Sequence, residues 1–125
     1  MDGAVSQLAA VEAALRTLRA PLQFQENTLH ALVAQALEKT GLPLEHEKKL
    51  APRCRIDFLC GAVGVEVKRG PQQKGRVLDQ LRRYAASGGV GALVLVTERN
   101  LDLPDTAGGV PLRTVCLSRL WGIAL

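Results

Sequence analysis

At 125 residues, with moderate charge and ordinary apolar content, the chain is expected to form one domain around one sizeable core. Its four aromatic residues, Phe24, Phe58, Tyr84 and Trp121, are too few for base stacking to be the main way of holding nucleic acid. The net charge is only +4, yet Lys48, Lys49, Arg53, Arg55, Lys68, Arg69, Lys74, Arg76, Arg82 and Arg83 crowd the middle third against Asp57, Glu66 and Asp79. That is either a solvated basic face or the footprint of a polyanion, phosphate first.

Cys54, Cys60 and Cys116 are odd in number and form no C-x-x-C pair, which disfavours both a disulfide framework and a zinc knuckle. Cys60 and Cys116 lie in apolar runs and read as small core residues in a reducing compartment. With no signal peptide, lipidation motif or apolar run of membrane-spanning length, the expectation is a cytoplasmic protein with no membrane partner.

Residues 4–19 lack proline and are rich in Ala and Leu, so they are read as a helix. Met1, Ala4, Leu8, Val11, Leu15, Leu18 and Leu22 recur at alternating steps of three and four, a narrow heptad-type seam. Such a seam is either a homodimer contact or, more commonly for so short a run, packing on the chain's own domain. Ala20-Pro21 breaks the pattern. A second helix is predicted from Phe24 to Lys39, closed by Thr40-Gly41, with Leu29, Leu32, Val33, Ala36 and Leu37 inward. At about 100° per residue, Glu26 falls within roughly 20° of Val33 and Leu37, so it points inward near the helix start. Alternatively it is a first-turn acid favoured by the helix dipole. His30 shares this face as a satisfied buried histidine, a phosphate contact or a ligand.

Leu42 to Leu50 reads as a polar edge strand, in which Glu45 and His46 point to opposite faces and cannot share one ligand shell. Arg55 to Lys68 then reads as two strands joined at Gly61-Ala62, a pair suited to a type II′ turn. In that register Cys60 opposes Val63, Phe58 opposes Val65, and Asp57 opposes Glu66. Ile56, Phe58, Cys60, Val63, Val65 and Val67 would share one face, leaving Asp57, Glu66 and Lys68 on the other. Directly opposed carboxylates repel unless a cation sits between them.

Arg69 to Gly75 is a loop of turn formers and basic residues, and Arg76 to Ser87 is a third helix burying Val77, Leu78, Leu81 and Ala85. Gln80 and Tyr84, four apart, lie together at the edge of that buried face. Gly91 to Thr97 is so continuously apolar that it should be buried on both sides. Asn100 to Pro111 reads as loop, and Leu112 to Leu120 as a last strand with a helical end that Trp121 closes. The order implies an α/β fold: a central mixed β-sheet flanked by helices, with an extra N-terminal helix.

Two opposed carboxylates with room for water suit magnesium or manganese, which prefer oxygen ligands. Lys68, on the same face, is placed to position a water for attack on a phosphodiester, and Gln80 to hold that water or a phosphate. Taken singly, Asp57 with Lys68 is also a plausible structural ion pair, and Gln80 with Tyr84 a plausible surface pair.

The arrangement resembles the PD-(D/E)xK nuclease superfamily. Asp57, eight residues, then Glu66-Val67-Lys68 matches its core signature. Glu26 matches the acid of its preceding helix, and Gln80-Leu81-Arg82-Arg83-Tyr84 is similar to the Q-x-x-x-Y motif of its RecB-like branch. The length and the helix-then-hairpin order also resemble Holliday-junction resolvases. The resemblance covers about Phe24 to Thr97. It implies a restriction-endonuclease-like core over residues 24–125, with residues 1–22 as an added helix and possible dimerisation element. It also implies a Mg2+ or Mn2+ held by Glu26, Asp57, Glu66 and the Val67 carbonyl, with Lys68 as the catalytic lysine. Ile56 stands where the family has proline, and three cysteines do not fit its four-cysteine iron–sulfur branch.

The expectation is therefore a metal-dependent nuclease acting on DNA, branched or with free ends. Lys68, Glu66, Asp57 and Gln80 would form the active site, and Arg69, Lys74, Arg76, Arg83 and Tyr84 would contact the DNA. The alternative is a nuclease fold that binds DNA or a protein without cutting.

Overall fold

The leucine seam at the start of the chain packs on the chain's own sheet. The structure, a computed structural model, describes residues 2–19 and 26–122, with side chains from 3 to 19 and from 28 to 122. Helix α1 spans Asp2–Leu15, and Leu8, Val11, Leu15 and the following Leu18 are all buried in one core. These residues are spent inside the monomer, so they are not a dimer contact, and the helix belongs to the same core as the rest of the chain. Met1, Leu22 and Phe24 lie outside the described residues.

Helix α2 (Glu26–Glu38) buries Leu29, Val33, Ala36 and Leu37 beside α1, and Gly41 just after it takes the left-handed conformation that ends many helices. Strands β1 (Leu44–Ala51), β2 (Cys54–Cys60) and β3 (Val63–Lys68) follow as an antiparallel meander. Helix α3 (Lys74–Ala86) crosses to strand β4 (Ala92–Thr97), which runs parallel to β3. A two-residue strand β5 (Thr106–Ala107) turns through Gly108-Gly109 into β6 (Val110–Cys116), parallel to β4, and α4 (Leu117–Leu120) ends the described chain. The sheet order is β1-β2-β3-β4-β6-β5. The fold is thus α/β, a six-stranded mixed sheet flanked by helices. Among the described residues no helix is long and apolar enough to cross a membrane.

Two layers of core follow from the alternation of β4. Ala92, Val94 and Val96 face α1 and α2, whereas Leu93 and Leu95 face α3 with Val77, Leu81 and Tyr84. All six residues of β4 are buried, as a parallel strand covered on both faces requires. Trp121 closes the first layer, its indole N–H donating to the Leu18 carbonyl at 3.0 Å.

The turn at Gly61-Ala62 is as expected. Gly61 has φ of 60° while Ala62 stays out of the left-handed region, the type II′ pattern, and Cys60 pairs with Val63 and Phe58 with Val65. The alternation before Phe58 is not. Ile56 lies in the α3 layer, whereas Phe58 and Cys60 lie in the α1–α2 layer. Gly64 makes room for it, since a Cβ there would stand 2.5 Å from Ile56 Cδ1 and 3.0 Å from a Leu93 methyl. The same switch occurs in β1, where Leu44 packs on one layer and Leu50 on the other. Between them Glu47 takes φ of 48°, opposite Asp57 by the flanking pairs His46–Phe58 and Lys48–Ile56. A left-handed non-glycine residue costs about 1–2 kcal/mol, and here it turns both strands over between one layer and the next.

Candidate active site

The switch at Glu47 and Asp57 determines how the two carboxylates meet. The backbone ladder between β2 and β3 ends at the Phe58–Val65 pair, and beyond it the strands are joined through side chains. The Asp57 amide donates to Glu66 Oε1 at 3.1 Å, and the Val67 amide donates to Asp57 Oδ2 at 2.8 Å. Each acid thus takes the place of a carbonyl in the missing ladder. Along a strand the N–H and C=O of one residue point to the same side, so the Val67 carbonyl turns toward Asp57 as its amide does.

Glu66 is the buried member, 5 % exposed on the α3 side of β3 opposite Leu95. Burial, and then the charge of Asp57, push its carboxyl up to about 7, while the Asp57 amide and Lys68 pull the other way. Lys68 Nζ lies 3.3 Å from Glu66 Oε2, one residue pair further along the same face. Tyr84 is also buried, 2 % exposed, and its hydroxyl donates to the Arg55 carbonyl at 3.0 Å. Burial and the neighbouring Glu66 push its phenol up. With its hydroxyl buried and bonded to β2, Tyr84, expected among the DNA contacts, braces the irregular strand against α3. Gln80 sits half-buried one turn earlier on α3 and makes no side-chain hydrogen bond with any described residue.

Asp57, Glu66, Lys68 and Tyr84 are therefore brought together, with the Val67 backbone at the rim. The side chain of Glu26 lies outside the described residues, and among those described no group of three or more His, Cys, Asp and Glu is placed to hold a metal. His30 and His46 are elsewhere, both against the Phe58 ring at 5.9 and 5.1 Å between ring centres in the α1–α2 layer. The donor set at Asp57 and Glu66 fits magnesium or manganese. It consists of hard oxygens, it carries mutual repulsion that a cation would relieve, and it adjoins a strand carbonyl.

The basic residues gather around the same end of the sheet. The β1–β2 turn with Arg53, the end of β3, and the start of α3 with Lys74 and Arg76 all lie at the carboxyl ends of the parallel strands. Lys74 and Arg76 are exposed in a first turn that has no acid and no side-chain cap, an arrangement opposed by the helix dipole and relieved by an anion. Arg83 is exposed further along α3. Arg69, expected among the DNA contacts, pairs with Glu98 at 3.1 Å. Glu98 also accepts from the Gly70 amide at 3.0 Å, and its own amide donates to the Lys68 carbonyl. It ties the loop after β3 to the loop after β4. Its only sequence signal was its place just past an apolar strand.

In comparisons with protein-family models, curated proteins and solved structures, the chain matches none.

Proposed function

We propose that the chain is a divalent-metal-dependent DNA nuclease on a restriction-endonuclease-like core of the PD-(D/E)xK type. The observation that carries this is the reciprocal clasp of Asp57 and Glu66, with Lys68 3.3 Å from the buried acid. A structural ion pair needs one acid; two acids forced together beside a lysine, at the basic end of a sheet, call for a cation and a phosphate. A bound Mg2+ or Mn2+ supplies electrostatic stabilisation of the charge that builds on the phosphate and lowers the pKa of water.

The protein's own residues divide the remaining work. Asp57 and Glu66 would hold the ion, with the Val67 carbonyl and Glu26 as the further ligands the family pattern implies. Lys68, paired with Glu66, presents N–H donors to the attacking water or to a phosphate oxygen. Gln80 offers an amide at the α3 rim for the same purpose. Lys74, Arg76 and Arg83 hold the strand by its phosphates. Water adds to phosphorus and gives up a proton to solvent, the P–O bond to one sugar breaks, and the leaving oxygen takes up a proton from solvent. Cutting both strands of a branched DNA would need two copies, meeting through a surface other than the α1 seam.

The test is incubation with Mg2+ or Mn2+ on linear, nicked, single-stranded and four-way-junction DNA. Cleavage is expected on at least one substrate, with losses of about 10²–10⁴-fold in Asp57→Ala and Lys68→Ala. Wild-type rates in both variants would overturn the site. Salt-sensitive binding without cleavage by the wild type on any substrate would favour the non-cutting module instead.

A further inference from the structure

Lys68, Thr97 and Cys116 stand in register across β3, β4 and β6. At about 4.8 Å per strand, Cys116 lies roughly 10 Å from Lys68 along the same end of the sheet. There it lines a half-open cavity of about 720 Å³ whose polar walls are Arg16, Asn100, Asp102, Thr114 and Arg119. Pockets of roughly 300–1,000 Å³ accept ligands the size of a nucleotide.

Three features favour one kind of occupant. First, the cavity is fastened to the candidate site by backbone: the Glu98 amide donates to the Lys68 carbonyl, and the Ser118 amide to the Glu98 carbonyl. Second, its charge is unequally satisfied. Arg16 shares its charge with Glu12 at 2.9 Å, whereas Arg119 has no ion-pair partner among the described residues. Third, Asp102 on the facing loop supplies a carboxylate acceptor, which a phosphate would not use but the N–H of a base edge would, with the Asn100 amide beside it. Phosphate on one wall and a base on the other describe a nucleotide.

We infer that this cavity receives one nucleotide of the DNA strand whose scissile phosphate lies at Asp57 and Glu66, an inference that rests on the nuclease reading above. Ten ångströms correspond to at most about three rises of 3.4 Å along a stacked strand, so the nucleotide lies no more than some three positions from the cut. Arg119 supplies the phosphate contact, and Asn100 the contact to the base.

The test is fluorescence anisotropy of labelled single-stranded and duplex oligonucleotides in EDTA, where no cleavage intervenes, over a range of salt. Arg119→Gln is expected to weaken binding about 5–10-fold and to reduce the salt slope by roughly 0.7–0.9. Arg113→Gln removes the same charge from an exposed position on β6 outside the cavity and should change affinity by less than about twofold and leave the slope as it is. Asn100→Ala should weaken binding about fivefold with the slope unchanged, a neutral hydrogen bond being worth about 1 kcal/mol. If Arg119→Gln and Asn100→Ala match the Arg113 control in a protein that binds and cleaves DNA, the cavity assignment is overturned and the nuclease survives. If the wild type binds without cleaving on any substrate and the losses are still specific to Arg119 and Asn100, the nuclease reading fails and the link to a scissile phosphate falls with it, leaving the cavity as a nucleotide-binding site alone. No binding by the wild type overturns both.

Discussion

Between Phe58–Cys60 and Val63–Val65 the β2–β3 hairpin is an ordinary ladder, whereas from Asp57 and Glu66 onward the same two strands hold one another by carboxylates. The closed half is apolar where it faces α1 and α2, and it is stabilised by burial. The open half takes up an acid on each strand, beside the left-handed Glu47 of β1; these cost stability, and the lysine at the rim offsets part of the cost through its pair with Glu66. The comparison shows how one hairpin is divided between folding and chemistry. The tip sets the register, and the open end uses that register to bring Asp57 and Glu66 together.

The sharpest way to separate the halves is to damage the closed one. Phe58→Ala is expected to cost about 3–5 kcal/mol, read as a fall in urea midpoint, since Phe58 is 2 % exposed between two histidine rings. Cleavage per folded molecule at low temperature should nevertheless persist. Loss of activity beyond the loss of folded protein would mean that the two halves are not separable.

A smaller effect should appear in the open half as a pH dependence. The Glu66 carboxyl sits near 7 in the folded chain against an unperturbed 4.5, so between those values the folded state binds the extra proton. The stability this contributes is complete below about pH 4.5 and is lost as pH rises through 7, by up to about 3 kcal/mol. In EDTA the wild type should therefore lose melting temperature over that window relative to Glu66→Gln. Parallel pH profiles for the two proteins would contradict the account of Glu66.

Smallest is the brace. Tyr84→Phe removes only the hydroxyl bonded to Arg55 and should cost about 1 kcal/mol in chemical denaturation. If DNA affinity falls while stability stays constant, Tyr84 is a DNA contact after all.

Much of this was legible in the chain, and the remainder was hidden for definite reasons. The Gly61-Ala62 turn, its register and the two-sided burial of β4 follow from local pattern. The α1 seam was legible as a stripe but not as to its partner, because a heptad repeat looks alike against a sheet or a second copy. Ile56 was misplaced because nothing in Glu47 announces a left-handed φ, and one such residue reverses every side chain beyond it. Tyr84 was read at an edge because an i, i+4 pair with Gln80 looks the same at a rim and in a core. Asn100 and Arg119 come together through the parallel β4–β6 pairing, and Arg16 joins them through the packing of α1 on the sheet, neither of which any short window of sequence contains. Asp57, Glu66 and Lys68 were legible because their spacing is set by the hairpin itself.

The most direct test of the central claim, that the open half of the hairpin seats a divalent cation, is thermal melting at pH 8 with and without Mn2+. At a concentration about a hundredfold above the dissociation constant, binding should add about 2.7 kcal/mol, several degrees in melting temperature. The account predicts that shift in the wild type and its loss in Asp57→Asn; an equal shift in both proteins, or none in the wild type, would contradict it.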